Sequence, residues 1–173
     1  VVNPRLEEQT FYRPLTEVIS WASDNVTSVL CSCLSTHALM KHLFGIDRVP
    51  LPRKQWGVYS HRVVAPHHPL LRGINTRFDV PHSRYNAITR QQFLDAGLTI
   101  LIESAEAGVH AAVSDDQFRS IYFQGHPEYD ANSLLKEYKR EVLRHFHGER
   151  DMPPLPEHYV TAEAEAIIEA YLA

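Results

Sequence analysis

Apolar positions along the chain switch between a helical and an extended period. Leu15, Val18, Ile19 and Ala22 recur at i, i+3, i+4 and i+7, which predicts a short amphipathic helix over 14–22 that Asp24-Asn25 end. Residues 26–31 form a β-branched run that reads as a buried strand. Leu34 to Phe44 read as a helix with Gly45 as its C-terminal cap. Leu34, Ala38 and Leu39 would face the sheet, while His37 and Lys41 would lie on an exposed stripe. Pro50-Leu51-Pro52 reads as a loop and Val58 to Val64 as a strand. A loop opens at His67-His68-Pro69, and Phe78-Asp79-Val80 is a short extended piece. Ile88 to Ala96 can form a helix stopped by Gly97. Residues 98–102 are a strong strand, with 109–113 as its hairpin partner across Ala107-Gly108.

Arg119 to Gln124 is the next strand. Asp130 or Asn132 then caps a long helix over 133–147, with Leu134, Leu135, Tyr138, Val142 and Phe146 as its apolar stripe. A Pro-rich connector at 152–156 leads to a last helix over 163–172. Interleaved strands and helices predict an α/β domain with a mostly parallel central sheet flanked by helices. Only one strand precedes the turn at Cys33, so the chain is expected to lack the N-terminal part of its domain.

Composition narrows the function classes. A length of 173 residues favours one domain, 1–173, and 44% hydrophobic content is that of a folded protein. The net charge of −4 leaves no basic footprint for nucleic acid. No apolar run approaches the roughly 18 residues of a membrane span. Two cysteines, Cys31 and Cys33, are too close for a structural staple and suggest a reducing, cytoplasmic setting. Structural zinc on Cys31, Cys33 and His37 would need a second ligand cluster, which the sequence does not supply.

The chemistry concentrates at two strand ends. Cys33 sits where a strand turns into a helix, and His126-Pro127-Glu128 follows the strand over 119–124. A sharp strand-to-helix turn exposes the side chain at its apex, and a helix N-terminus favours anions. A thiol needs a base, and the base needs a group to fix its tautomer. Cys33, His126 and Glu128 therefore form a candidate catalytic triad. Each also has a plainer reading: a small buried hydrophobe for the cysteine, and a surface turn for His-Pro-Glu.

The segments 26–33, His42-Leu43-Phe44-Gly45-Ile46, Trp56-Gly57-Val58-Tyr59-Ser60-His61, Pro81-His82-Ser83-Arg84-Tyr85 and 125–130, with Leu134, Glu137-Tyr138 and Arg140, come in order. Over about 21–141 the chain resembles the homoserine O-acyltransferases of the succinyltransferase type. The resemblance implies a class I glutamine amidotransferase-like fold. It also implies transfer of an acyl group, succinyl or acetyl, from acyl-CoA to the hydroxyl of homoserine in methionine biosynthesis. No permanently bound cofactor is implied, and acyl-CoA serves as co-substrate. By position, Cys33 corresponds to the acyl-thioester cysteine, His126 to the general base and Glu128 to its partner. Lys54, Ser83 and Arg140 correspond to substrate-binding residues. A cytoplasmic homodimer acting on small molecules, with no nucleic-acid or membrane partner, is the matching expectation.

Besides the expected lack of the first third of the family domain, the chain departs from the family pattern in two places. Cys33-Leu34-Ser35 replaces Cys-Trp-Gly or Cys-Trp-Ala, and residues 149–173 read as a divergent C-terminal tail. The rivals are a class I glutaminase-like amide hydrolase using the same triad and a non-catalytic binding module that kept the fold. Ser32 and Leu34–Ser35 lack the glycines that glutaminases favour around the nucleophile.

Overall fold

The computed structural model describes residues 1–172. Helix α1 (Tyr12–Asn25) leads into strand β1 (Val29–Ser32), and helix α2 (Leu34–Phe44) follows after one residue. Gly45 closes α2 in the left-handed region, φ 67°, and its N–H donates to the Lys41 and Met40 carbonyls. A side chain there would strain the backbone, which is why glycine ends this helix. α1 packs on α2. Two long strands follow, β2 (Val49–Val63) and β3 (Arg77–Ala87). Helix α3 (Arg90–Asp95) carries a capping box, in which Thr89 accepts from the Gln92 N–H and Gln92 from the Thr89 N–H. Strands β4 (Thr99–Ser104), β5 (Gly108–Val113) and β6 (Ser120–Phe123) precede helices α4 (Ser133–Phe146) and α5 (Ala162–Leu172).

The six strands form one sheet in the order β1-β6-β5-β4-β2-β3. Only the β1–β6 pair is parallel, and the other four pairings are antiparallel. The α/β class stands, but the sheet is mostly antiparallel rather than mostly parallel. The physical reason lies in the connections. A parallel neighbour needs a long crossover, whereas β4 to β5 and β5 to β6 are joined by short turns that can only reverse the chain.

Two further expectations change. Pro50 and Pro52 lie inside β2 rather than in a loop. This part of β2 pairs with β3 alone, and its register jumps between Pro50 and Gln55, so two missing N–H donors break no continuous ladder. β3 extends far beyond Phe78-Asp79-Val80 because its inward face is polar. Val80, His82, Arg84 and Asn86 are buried at strict two-residue spacing, and three of them carry no apolar signal.

One face of the sheet buries Cys31, Ile88, Ile100, Val109, Ala112 and Tyr122 against Leu39 and Met40 of α2 and Phe93 of α3. The other face buries Leu101, Ile102, Ala111 and Val113 with Leu71. Trp56, Leu134 and Tyr138 form a third cluster where α4 meets β2. The connector after α4 docks on the same strand. Val58 N–H donates to the Glu157 carbonyl at 2.8 Å and Glu157 N–H to the Trp56 carbonyl at 2.8 Å. A Cβ on Gly57 would lie 2.2 Å from the Glu157 carbonyl oxygen, so only glycine permits this approach.

His37 is buried on α2, not exposed, and its Nε2 pairs with Gln124 Oε1 at 3.2 Å. Burial, with help from the nearby Arg84 charge, pushes His37 down to about 3. His110 on β5 is likewise pushed down to about 3, by burial first and by His61 and Arg84 next. Both rings are neutral in the fold and protonate more readily once unfolded, so stability falls as pH drops from 6.5 toward 3. Between pH 6.5 and 5 the loss is about 2 kcal/mol for each ring. Urea unfolding midpoints at pH 7 and pH 5 are expected to show this decline, and equal midpoints would contradict it.

Candidate active site

Cys33 occupies the single residue between β1 and α2 and adopts φ 48°, ψ −104°. A non-glycine residue at positive φ is strained, and strain of this kind persists where the surrounding structure enforces it. Here the enforcing contacts are explicit. Cys33 N–H donates to the Phe123 carbonyl at 2.7 Å, and the Thr36 hydroxyl donates to the Phe123 carbonyl at 2.8 Å and the Cys31 carbonyl at 3.0 Å. Ser35 Oγ accepts from Ser32 N–H and donates to the Ser32 carbonyl. The Leu34 N–H, at the first helical position, has no acceptor among the described residues. Cys31, two residues earlier, is buried in the strand, and burial raises its thiol above the ordinary value.

His126 comes off the end of β6, the strand paired with β1. Its N–H donates to the Pro81 carbonyl at 2.9 Å, and its ring stacks on Tyr129 with centroids 4.1 Å apart. Nδ1 pairs with Glu128 Oε1 at 2.7 Å, and Glu128 Oε2 accepts from Ser32 Oγ at 2.9 Å. Nε2 is buried and makes no hydrogen bond of normal geometry. Burial disfavours the imidazolium, but the nearby Cys33 sulfur and the Glu128 carboxylate outweigh it and hold His126 up to about 9. Glu128 in turn is lowered: burial raises it, but the bonds from His126 and Ser32 prevail.

Beside His126 lies an open cleft of about 750 Å³, with Lys54, Ser83, Tyr129, Glu137 and Arg140 among its walls. Glu137 organises it. Ser83 Oγ donates to Glu137 Oε2 at 2.6 Å, Lys54 Nζ approaches the same oxygen at 3.4 Å, and the Tyr129 hydroxyl donates to Oε1. These donors and the Lys54 charge keep Glu137 below the usual carboxylate value although burial raises it. Lys54 Nζ also sits 3.7 Å from the centroid of the Trp56 ring. Burial, the largest influence on Lys54, lowers it despite Glu137.

The family model for homoserine O-succinyltransferase matches residues 1–169. The chain is 62% identical over 172 residues to the homoserine O-succinyltransferase of Methylococcus capsulatus, covering 99% of this chain and 48% of that protein. It is 58% identical over 172 residues to that of Nitrosococcus oceani, covering 99% and 48%. The chain belongs to the homoserine O-succinyltransferase family. It spans about half the length of the curated relatives it matches. Among solved structures, a glutamine amidotransferase from Thermotoga maritima superposes with TM-score 0.59 at 17% identity, covering 99% of this chain and 71% of that one. One from Methylobacillus flagellatus gives 0.56 at 20% identity, covering 88% and 57%. At these identities the likeness shows the fold, which is the class I glutamine amidotransferase-like fold expected from sequence.

For this member of the homoserine O-succinyltransferase family, all six residues singled out from sequence converge on one region. Cys33, His126 and Glu128 stand at adjacent strand ends, while Lys54, Ser83 and Arg140 wall the cleft. Arg140 is largely exposed, touches Glu141 at 3.3 Å through Nε and lines the cleft. Lys54 and Ser83 are engaged with Glu137 rather than free. Glu137 counted in the sequence only as part of the resemblance and was given no role, although its spacing of three residues before Arg140 puts both on one side of α4. If the Glu128 carboxylate holds the His126 proton, Glu128→Gln lowers the His126 midpoint by about one pH unit or more. An NMR titration of the His126 ring measures this, and an unchanged midpoint would make Glu128 a bystander.

Proposed function

We propose that this chain carries the acyl-transfer centre of an enzyme that moves a succinyl group from its CoA thioester to the hydroxyl of homoserine, in methionine biosynthesis. The observation that carries the reading is the Cys33 elbow facing a histidine whose other nitrogen is held by a carboxylate at 2.7 Å. Family membership at 62% identity favours this over a glutaminase, whose likeness rests on fold alone. It favours it equally over a binding module that merely kept the fold.

Cys33 gives its proton to His126 Nε2 and attacks the thioester carbonyl carbon. A carbon–sulfur bond forms, the carbonyl electrons move to oxygen, and collapse expels the CoA sulfur, which takes the proton back from His126. The oxyanion needs N–H donors, and the unpartnered Leu34 amide is one. In the second half-reaction His126 accepts the homoserine hydroxyl proton while that oxygen attacks the acyl-Cys33 carbonyl; the carbon–oxygen bond forms, collapse breaks the carbon–sulfur bond, and the departing Cys33 sulfur takes the proton from His126, which restores the resting pair. Glu128 keeps the ring in the orientation that aims Nε2 at the reacting atoms. Arg140 offers a guanidinium fork to the acceptor carboxylate, and Glu137 offers a counter-charge to its ammonium. Ser83 and Lys54 act by fixing Glu137. No resident cofactor enters this scheme, and the cytoplasmic homodimer belongs to it on the strength of the resemblance.

Intact mass after incubation with succinyl-CoA or acetyl-CoA tests the first half-reaction. The covalent acyl adduct is expected on the wild type and on Cys31→Ala, and is expected to vanish in Cys33→Ala. The reverse pattern would overturn the assignment. Arg140→Lys is expected to slow acyl release to homoserine about ten-fold while leaving Cys33 acylation nearly unchanged. An equal loss in both half-reactions would remove Arg140 from the acceptor site.

A further inference from the structure

The polar inward face of β3 contains a buried cation with no countercharge. Arg84 is 5% exposed, and among the described residues it is in no ion pair. One Nη donates to His82 Nδ1 and the other to the Ala107 carbonyl, while Nε has no partner. A second arginine, Arg48, is buried to the same degree and, among the described residues, is bonded only to the Pro4 and Asn3 carbonyls. Both arginines and Cys33 wall one small cavity, with Leu34, His37 and Ser83. Burying a guanidinium without an anion is strongly unfavourable, so a fold that keeps two of them beside a nucleophile needs an explanation.

The bonds behind Arg84 run in one direction. The Tyr59 carbonyl can only accept, so His61 Nδ1, 2.8 Å away, carries its hydrogen and His61 Nε2 accepts. A guanidinium can only donate, so His82 Nδ1 accepts and its Nε2 carries the hydrogen given to His61 Nε2 at 3.2 Å. The two rings are stacked with centroids 5.0 Å apart and planes 10° from parallel. Every bond is satisfied with both rings neutral. Burial, the leading influence, lowers His61 and takes His82 well below the ordinary histidine value. Arg84 is drawn down to about 10 by burial and so keeps its charge at neutral pH.

We propose that Arg84 is the buried counter-cation for the negative charge that forms at Cys33 during acyl transfer, and that His82 and His61 are positioning residues that hold its guanidinium there. The proposal rests on the acyl-transfer reading. In that reaction the charge sits first on the Cys33 sulfur and then on the carbonyl oxygen, and Arg84 exchanges no proton with either. The charged and titratable groups around Cys33 are Arg84 and Tyr85 from β3, Arg48 from the segment before β2, His37 from α2, the α-amino group of Val1, and His126, Glu128 and Tyr129 from the loop after β6. Arg84 is the one among them whose orientation is fixed by a dedicated chain of neutral rings. The same platform supports His126. Gly125 N–H donates to His110 Nδ1 at 3.3 Å, and a Cβ there would lie 2.8 Å from that nitrogen and 2.9 Å from His82 Cε1.

The test uses no acyl donor, so its outcome is separate from that of the acyl-transfer reading. Purified full-length Cys31→Ala protein, in which Cys33 is the reporting thiol, is alkylated with iodoacetate and with neutral iodoacetamide across pH 5–9 and followed by intact mass. The iodoacetate-to-iodoacetamide rate ratio is expected to exceed that of free cysteine about ten-fold, because fixed cations attract the anionic reagent. Arg84→Met removes most of that excess and moves the midpoint of the pH–rate profile upward, whereas Arg84→Lys restores it within about three-fold. His82→Phe, of similar ring size, reproduces the Arg84→Met effect, and the double variant adds little, since one residue acts through the other. A wild-type ratio equal to that of free cysteine would overturn the proposal. So would folded Arg84→Met or His82→Phe protein with an unchanged ratio and pH profile. Failure of acyl-CoA to modify Cys33, with the alkylation pattern intact, would strike the acyl-transfer reading instead.

Discussion

The site depends on one short parallel pairing. Val29 to Ser32 of β1 lie beside Ser120 to Phe123 of β6, with Ser32 opposite Phe123. Because the two strands end at the same level, the elbow after β1 and the loop after β6 meet, although Cys33 and His126 are far apart in sequence. The Phe123 carbonyl joins them by accepting from both Cys33 N–H and the Thr36 hydroxyl. A slip of one residue would turn alternate side chains to the opposite face and separate the sulfur from the imidazole. Burial of Cys31 and Tyr122 in the core resists that slip.

Around this pairing the interior is polar by design of the strands. β3 buries His82, Arg84 and Asn86, β2 buries His61, and β5 buries His110. Such a core is held by directional bonds rather than apolar area, and each member must be satisfied or the fold suffers. Gln124 shows the logic. Its side chain accepts from Ile88 N–H, pairs with His37 Nε2 and donates to the Ile88 and Val109 carbonyls, so one residue ties α2, the segment between β3 and α3, and β5 to the strand end that carries His126. The geometry that fixes the His126 ring is therefore set by buried residues remote from it in sequence.

These polar strands also explain what was legible in the sequence. Helices α2 and α4 could be read closely because apolar spacing and Gly45 mark them. The placement of Cys33 and His126 just past two strand ends could be read because each follows a β-branched or aromatic run. β3 and the first half of β2 could not, since period-two burial of His, Arg and Asn has no hydrophobic signature and prolines argue against a strand. Strand direction was misjudged because alternating elements suggest crossovers, whereas direction is decided by connection length. His37 looked exposed because its partner, Gln124, is remote in sequence. Glu137, named only within the resemblance, carried no role because a carboxylate on an amphipathic helix looks like a solvated one until Ser83, Lys54 and Tyr129 are seen to surround it.

The central claim is that the β1–β6 pairing creates a covalent acyl-transfer centre at Cys33. Isotope exchange between labelled CoA and succinyl-CoA, with no homoserine present, tests it most directly. An acyl-Cys33 intermediate forms and reverses without the acceptor, so label is expected to enter succinyl-CoA at a rate that Cys33→Ala abolishes. Exchange that requires homoserine, or that survives Cys33→Ala, would contradict the account.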